Sequence, residues 1–190
     1  MDEVRLIRSK TFNLPAENID TDQIYPARYL TTTSQQGLGK YCFYDWRHNE
    51  ASRFFSYFRT FKPGQQQVLV AGNNFGCGSS REHAAWSLRD FGFKAVISTR
   101  FGDIFHSNAL KNGLLLVEVD APTLEWLMAH PGHEVSIDVE STRLEIPGFG
   151  TFDFPLDAFS AHCLTQGMDS LDFLLEQAEQ ISEFERRHGL

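Results

Sequence analysis

Short, mostly apolar runs alternate along this chain with segments in which apolar residues recur at helical spacing. Runs typical of buried strands lie at residues 68–71, 95–98 and 114–119. Between the first two runs, one helical stripe is formed by Ala84, Ala85, Leu88 and Phe91. Alternation of strand and helix predicts parallel strands joined by right-handed crossovers, and therefore an α/β fold.

The same patterns predict the elements on either side of this central region. A first strand or hairpin is expected from residues 4–7 and 11–12, and short antiparallel strands at 134–138, 143–146 and 151–154. Helices are expected at 102–111, from Pro122 to Pro131, and from Asp169 or Ser170 onward. The last helix carries an apolar stripe of Leu171, Leu174, Leu175, Ala178, Ile181 and Phe184.

The run at 68–71 leads into Gly-Asn-Asn-Phe-Gly-Cys-Gly-Ser-Ser-Arg-Glu-His at positions 72–83, which predicts a strand, a glycine turn and a helix start. Ser79 or Ser80 is the expected N-cap. Unpaired amides and the helix dipole make such a turn electropositive, and Arg81 adds a full charge. A carboxylate or phosphate is therefore expected to bind there, and the same field would stabilise a serine alkoxide.

Other glycine-loop chemistries fit this turn poorly. Arg81 stands where the dinucleotide fingerprint needs its third glycine, the turn lacks the lysine of a phosphate loop, and no glycine follows either serine as in an esterase elbow. The remaining alternative is a tight turn followed by a capped helix, without chemistry.

Residues 74–85 resemble the signature of the swivelling domain of the aconitase superfamily, in the form found in the small subunits of 3-isopropylmalate dehydratase. Further matches occur in order between about residues 10 and 172: Asn18-Ile-Asp-Thr-Asp-Gln-Ile, Tyr44-Asp-Trp, Asp90-Phe-Gly-Phe-Lys, Phe101-Gly-Asp-Ile-Phe and Asp169-Ser-Leu. The resemblance implies one layered β/β/α swivelling domain over residues 1–190, with a mixed sheet and surrounding helices. It also implies a lyase of leucine biosynthesis that interconverts 2-isopropylmalate and 3-isopropylmalate through isopropylmaleate.

The resemblance also implies roles for individual residues. Ser79 would be the base, acting as an alkoxide, with the backbone turn at Gly76 and Gly78 and the Arg81 side chain holding its charge. Ser80 and Arg81 would bind a substrate carboxylate. Asp22 would face the site and hold neighbouring polar groups, and Arg28 would lie on a loop near the substrate. Aconitase itself has an arginine further along this loop, where the present chain has Thr and Ser.

Substrate choice is expected to depend on the same loop, because malate-like substrates share their anionic groups and differ in one substituent. Leu30 can offer an apolar wall to an isopropyl group, and Arg28 can offer a cation to a carboxylate. With Leu30 facing the pocket, isopropylmalate is the expected substrate.

The formal net charge of −8 argues against nucleic acid or an anionic membrane as a partner. No apolar run approaches membrane-spanning length, and the first residues have no signal-peptide core, so a cytoplasmic location is expected. The three cysteines, Cys42, Cys77 and Cys163, could be cluster ligands or simply reduced thiols. No Cys-x-x-Cys pair exists, which favours reduced thiols and no metal in this chain. The resemblance places a 4Fe–4S cluster in a separate large subunit, the expected partner.

Three features are open to more than one interpretation. Residues 29–62 contain a polar, mobile loop and an aromatic-rich insertion, whose rings serve core packing, partner docking or both. Asp20 and Asp22 could be metal ligands or turn-forming residues, beside the role the resemblance gives Asp22. His83 could be a structural hydrogen-bond partner or a catalytic acid.

Two other functions remain possible from the sequence. The chain could be the small subunit of a related hydratase of the homoaconitase, methylmalate or dimethylmalate type. It could also be a non-catalytic module that holds an anion at the glycine turn.

Overall fold

The computed structural model describes residues 3–31 and 34–189. Its centre is a seven-stranded sheet with the order β4-β3-β2-β1-β5-β6-β7. The strands are β1 (Leu6–Leu14), β2 (Val68–Ala71), β3 (Ala95–Ser98), β4 (Leu115–Glu118), β5 (Glu134–Asp138), β6 (Arg143–Ile146) and β7 (Gly150–Asp153). The predicted α/β class and mixed sheet are confirmed.

Strand β1 joins a parallel half of the sheet to an antiparallel half. Its residues 11–14 pair in parallel with β2, and its residues 6–10 pair antiparallel with β5. Strands β2, β3 and β4 continue the parallel half, and β5, β6 and β7 form the antiparallel half. The strand-or-hairpin alternative for the first residues is therefore resolved as one strand.

Helices and short turns surround the sheet. The α-helices are α1 (Thr21–Ile24), α2 (Tyr44–His48), α3 (Phe55–Thr60), α4 (Glu82–Phe91), α5 (Asp103–Lys111), α6 (Ala121–Ala129), α7 (Ala158–Gln166), α8 (Ser170–Glu176) and α9 (Ala178–His188). Two 3-10 turns lie at Ala27–Tyr29 and Gly39–Tyr41. No helix among these described residues is long and apolar enough to cross a membrane.

Strands β2, β3 and β4 are apolar at nearly every position because both faces of the sheet are covered. Leu69 and Ala71 of β2 belong to one buried cluster, and Val68 and Val70 belong to another. Successive side chains of a strand point to opposite faces, so an apolar run without alternation indicates two buried faces.

The aromatic-rich insertion contributes to the first of these clusters. Phe43 and Phe54 are buried, and the Phe58 and Phe61 rings lie 5.2 and 5.1 Å from the Phe12 ring. The packing interpretation is confirmed for these rings. Thr32 and Thr33 of the loop that was expected to be mobile lie outside the described residues.

Two sequence expectations about helices need correction. Residues 18–30, whose Asp20 and Asp22 could from the sequence be turn-forming and whose Arg28 was expected on a loop, contain the short helix α1. The Asp20 carboxylate accepts from the Gln23 amide while the Gln23 side chain accepts from the Asp20 amide, which starts this helix. The single last helix is instead two helices that meet at Gln177. Its apolar stripe is largely exposed, at Leu171, Leu174, Leu175, Ile181 and Phe184.

Candidate active site

The glycine turn between β2 and α4 has a backbone that only certain residues can adopt. Asn74, Gly76 and Gly78 all have positive φ, of 61°, 74° and 93°. A Cβ atom on Gly76 would lie 2.2 Å from Cγ of Phe105 in α5, inside contact distance. Position 76 therefore requires glycine for two reasons: its backbone is left-handed, and the neighbouring helix α5 leaves no room for a side chain.

This turn is joined to the segment that leads into α1. The Gly76 amide donates to the Ile19 carbonyl at 2.7 Å, and the Thr21 amide donates to the Cys77 carbonyl at 2.9 Å. Asp20 and Cys77 thereby form a short parallel bridge. The two motifs quoted above around residues 18–24 and 74–85 are thus in direct contact.

Neither serine is the N-cap of α4, so that expectation is wrong. The helix begins at Glu82, with an extended Arg81 as N-cap and no side-chain cap. The Arg81 amide donates to the Ser79 carbonyl at 2.9 Å, a tight turn that leaves both serines outside the helix. Ser79 and Ser80 are exposed. Their hydroxyls consequently lie at the surface of the turn instead of serving as helix caps.

Arg81 and Asp22 form an ion pair beside the turn. The guanidinium Nη1 donates to the Asp22 carboxylate, and the same oxygen accepts from the Ala27 amide at 2.7 Å. The pKa of Asp22 is lowered, most of all by the hydrogen bond from the Ala27 backbone amide. The hydrogen bond and the positive charge of Arg81 lower it further. The Arg81 side chain is only 21 % exposed, so solvent screens its positive charge only partly at this site.

Arg28 is held by partners of its own. Its guanidinium binds the Asp45 carboxylate through both terminal nitrogens, one of them at 3.0 Å. Its Cζ atom lies 4.7 Å from the Tyr29 ring centre and 5.6 Å from that of Tyr44. Leu30, two positions further, is 40 % exposed and lies outside the core.

Sequence reasoning missed this environment of Arg28, although the quoted Tyr44-Asp-Trp motif supplies it. Asp45 and Tyr44 belong to α2, sixteen or more positions away, and no spacing rule pairs them with the loop. The motif was a signal of resemblance only.

His83 and Cys77 border the same region. The His83 ring lies 5.4 Å from the Tyr25 ring and 4.7 Å from the Trp86 ring, so it is part of an aromatic group. The pKa of the Cys77 thiol is raised by burial and by the nearby Asp20 carboxylate.

The three cysteines of this chain are free thiols that lie in separate parts of the structure. Burial raises the pKa of Cys42 to about 12 and also raises that of Cys163. Cys42 lies in the core, Cys163 in α7 and Cys77 in the glycine turn. Across residues 3–31 and 34–189, no three His, Cys, Asp or Glu side chains are grouped in a way that could hold a metal ion.

Comparison with known proteins identifies the family. Residues 1–122 match the aconitase C-terminal domain family. The chain is 51 % identical over 187 residues to the 3-isopropylmalate dehydratase small subunit of Anaeromyxobacter dehalogenans strain 2CP-1, covering 97 % of this chain and 98 % of the relative. It is 49 % identical to the protein of that name from Herpetosiphon aurantiacus, covering 100 % of this chain and 96 % of the relative.

A solved structure agrees with these relatives. The crystal structure of 3-isopropylmalate dehydratase from Methanocaldococcus jannaschii superimposes with a TM-score of 0.69 at 28 % identity, and the match covers 94 % of this chain and 98 % of that one. The chain therefore belongs to the aconitase C-terminal domain family and, within it, to the 3-isopropylmalate dehydratase small subunits.

Proposed function

We propose that this chain supplies the base and the carboxylate-binding groups of a 3-isopropylmalate dehydratase whose active site is shared with a large subunit. The observation that carries the proposal is the exposed position of Ser79 and Ser80 beside Arg81, at a turn held by residues 18–22. An exposed hydroxyl next to a concentrated positive charge suits proton abstraction beside a carboxylate.

Ser79 accepts the proton in this proposal. Its Oγ atom, as alkoxide, takes the C–H proton next to the substrate carboxylate. Hydroxide leaves the neighbouring carbon, and isopropylmaleate forms. Return of the proton from Ser79 to the carbon that lost hydroxide, with addition of hydroxide to the carbon that lost the proton, places the hydroxyl on the adjacent carbon. Departure of hydroxide needs a Lewis acid, which a 4Fe–4S cluster of the large subunit supplies.

Arg81 and Ser80 hold the substrate carboxylate while Ser79 acts. A guanidinium has five N–H donors in a planar fork, so the contact of Nη1 with Asp22 is compatible with binding a second carboxylate. The backbone at Gly78 and the first-turn amides of α4 add positive potential around the Ser79 oxygen, whereas the Gly76 amide already donates to the Ile19 carbonyl.

The partners follow from this division of labour. The large subunit brings the cluster, and the ligand is a small dicarboxylate. The net charge of −8 argues against nucleic acid as a partner. As a step of leucine biosynthesis, the reaction is assigned to the cytoplasm.

The test is reconstitution under anaerobic conditions. The chain purified alone is expected to contain no stoichiometric iron or sulfide and to be inactive, whereas mixing with the matching large subunit produces isomerisation of 2-isopropylmalate. Methylmalate, dimethylmalate and homoaconitate are assayed in parallel. Stoichiometric iron and sulfide in the chain alone would overturn the proposal. So would an iron-loaded complex that does not isomerise 2-isopropylmalate. Faster turnover of another malate would assign the related hydratase.

A further inference from the structure

A buried threonine lies against the proposed base. Thr21, the first residue of α1, is 1 % exposed. Its Oγ1 atom donates to the Ser79 carbonyl at 3.0 Å and lies 3.5 Å from the Ser79 hydroxyl. One hydroxyl therefore has two oxygens of the same residue within reach.

The single proton of the Thr21 hydroxyl can serve either oxygen. A neutral Ser79 hydroxyl is a weak acceptor, so the proton is donated to the carbonyl. An alkoxide accepts a much stronger, charge-assisted hydrogen bond. Rotation about the Cβ–Oγ1 bond of Thr21 redirects the proton to the Ser79 oxygen. A short bond between the two hydroxyl oxygens, now 3.5 Å apart, requires a movement of the exposed Ser79 side chain, in the way that catalytic hydrogen bonds tighten in a reacting complex.

We propose that Thr21 is a positioning residue for Ser79: its hydroxyl holds the serine oxygen while that oxygen is the alkoxide, and turns to the serine carbonyl once the oxygen has taken the substrate proton. The inference rests on the proposed function, because it takes Ser79 as the base. Thr21 keeps its own proton throughout, and only the acceptor of its hydrogen bond changes. The proton removed from the substrate resides on Ser79.

The Thr21 hydroxyl is not required to join the two loops. Backbone hydrogen bonds from Gly76 to Ile19 and from Thr21 to Cys77 already do so, at 2.7 and 2.9 Å. Valine has the shape of threonine without the hydroxyl. Thr21→Val therefore removes the hydrogen bond and retains the backbone pairing and most of the packing.

The experiment uses the complete complex with the matching large subunit, and compares Thr21→Val with Thr21→Ser. Thr21→Val is expected to lower kcat by about tenfold to a hundredfold, below the loss seen for a direct oxyanion donor. KM should stay within about twofold, because Thr21 does not bind substrate in this proposal. Thr21→Ser keeps the donor and should restore most of the lost turnover.

Thr165→Val is the matched control. Its hydroxyl also donates to a backbone carbonyl at 3.0 Å, that of His162 in α7, and the residue is buried like Thr21. It has the same kind of hydrogen bond away from the turn, so kcat should be unchanged.

A double variant separates positioning from structure. In the Ser79→Ala background no side-chain oxygen remains at position 79 for Thr21 to hold, so adding Thr21→Val should lower kcat no further. Equal losses in Thr21→Val and Thr21→Ser, an unchanged kcat in Thr21→Val, or an additive loss in the double variant would each overturn the inference. An active wild-type complex that is insensitive to Ser79→Ala would instead refute the role proposed for Ser79.

The comparison remains decisive if Thr21→Val does not assemble with the large subunit. Thr21→Ala, which leaves a smaller side chain and no hydroxyl, then takes its place against Thr21→Ser. A Thr21→Ala complex with wild-type kcat would overturn the inference, and a selective loss of kcat would support it.

Discussion

The Asp22 carboxylate contacts the Arg81 guanidinium although 59 positions separate the two residues in the sequence. The same oxygen accepts a hydrogen bond from the Ala27 amide at 2.7 Å. One carboxylate thus connects the N-cap of α4 with the turn that carries Arg28 and Leu30. Asp22 therefore links Arg81, proposed to bind the substrate carboxylate, to the loop that carries Leu30, proposed to select the substituent.

The first prediction concerns the protonation of Asp22. Its pKa lies below the ordinary value of 3.8, so the ion pair is intact at neutral pH. Any stability it contributes is complete above the unfolded-state pKa and is lost as the pH falls through the lowered folded-state value. Carboxyl NMR titration should therefore place Asp22 below an ordinary aspartate. Arg81→Gln should raise this pKa only in part, because the Ala27 amide remains its largest cause.

Titration of Asp22 at or above the ordinary aspartate value would contradict this prediction. A complete return to the ordinary value in Arg81→Gln would show that the Ala27 amide contributes little.

The second prediction concerns Ser79. Ser79→Ala should lower kcat of the assembled enzyme by at least about a thousandfold, because a general base and its charge stabilisation are lost together. Folding and assembly should persist, since the residue is exposed. The neighbouring Ser80→Ala serves as comparison and should act mainly through KM. Near-normal turnover in Ser79→Ala would reject Ser79 as the base.

The third prediction concerns the glycine turn. Gly76 and Gly64 have nearly equal φ angles, +74° and +76°, but a Cβ on Gly64 meets nothing within 4 Å while one on Gly76 would collide with Phe105. Gly64→Ala should lower the free energy of unfolding by about 1–2 kcal/mol through backbone strain alone. Gly76→Ala should cost a further 1–3 kcal/mol, roughly the range for overpacking.

Urea denaturation of both alanine variants measures the difference. Equal losses would show that the turn relaxes away from α5 and that the close approach is not a constraint.

The parallel half of the sheet could be predicted from the sequence because its strands are apolar at nearly every position. Val68–Ala71 and Ala95–Ser98 are strands with all four residues buried. Runs of this kind have few other stable arrangements, and the intervening helical stripe requires a crossover. The resemblance to the aconitase superfamily and to the dehydratase small subunits is confirmed as well.

The N-cap of α4 could not be predicted because two competing arrangements share the same residues. A serine before a helix normally caps it, but here the amide of Arg81 bonds to the Ser79 carbonyl. That local turn moves the helix start beyond both serines. Sequence alone does not weigh a side-chain cap against a backbone turn.

Tertiary partners explain the other omissions. Asp45 binds Arg28 from α2, and Thr21 reaches Ser79 across 58 positions. Neither pair follows a helical or strand period. The last helix was predicted as one segment because its apolar stripe continues across Gln177, where the backbone departs from regular helix.

The fourth prediction concerns the substrate preference that we propose for Leu30. Leu30 is 40 % exposed at the end of the Ala27–Tyr29 turn, so replacing it leaves the core intact. An apolar contact of this size separates substrates by about 1–3 kcal/mol. Leu30→Lys should therefore lower kcat/KM for isopropylmalate and favour a substrate with an added carboxylate, because an ammonium group loses hydration against an isopropyl group but attracts an anion.

Leu171→Lys is the control for the added charge, since Leu171 is an exposed leucine of α8. It should leave the ratio of kcat/KM values unchanged. The decisive quantity is that ratio between isopropylmalate and homoaconitate, measured with the same large subunit for all three proteins. If Leu30→Lys lowers both activities in equal proportion, Leu30 supports the loop without contacting the substituent. A shift of the ratio toward homoaconitate in Leu30→Lys alone places the side chain at the variable end of the substrate, opposite the carboxylate held by Arg81.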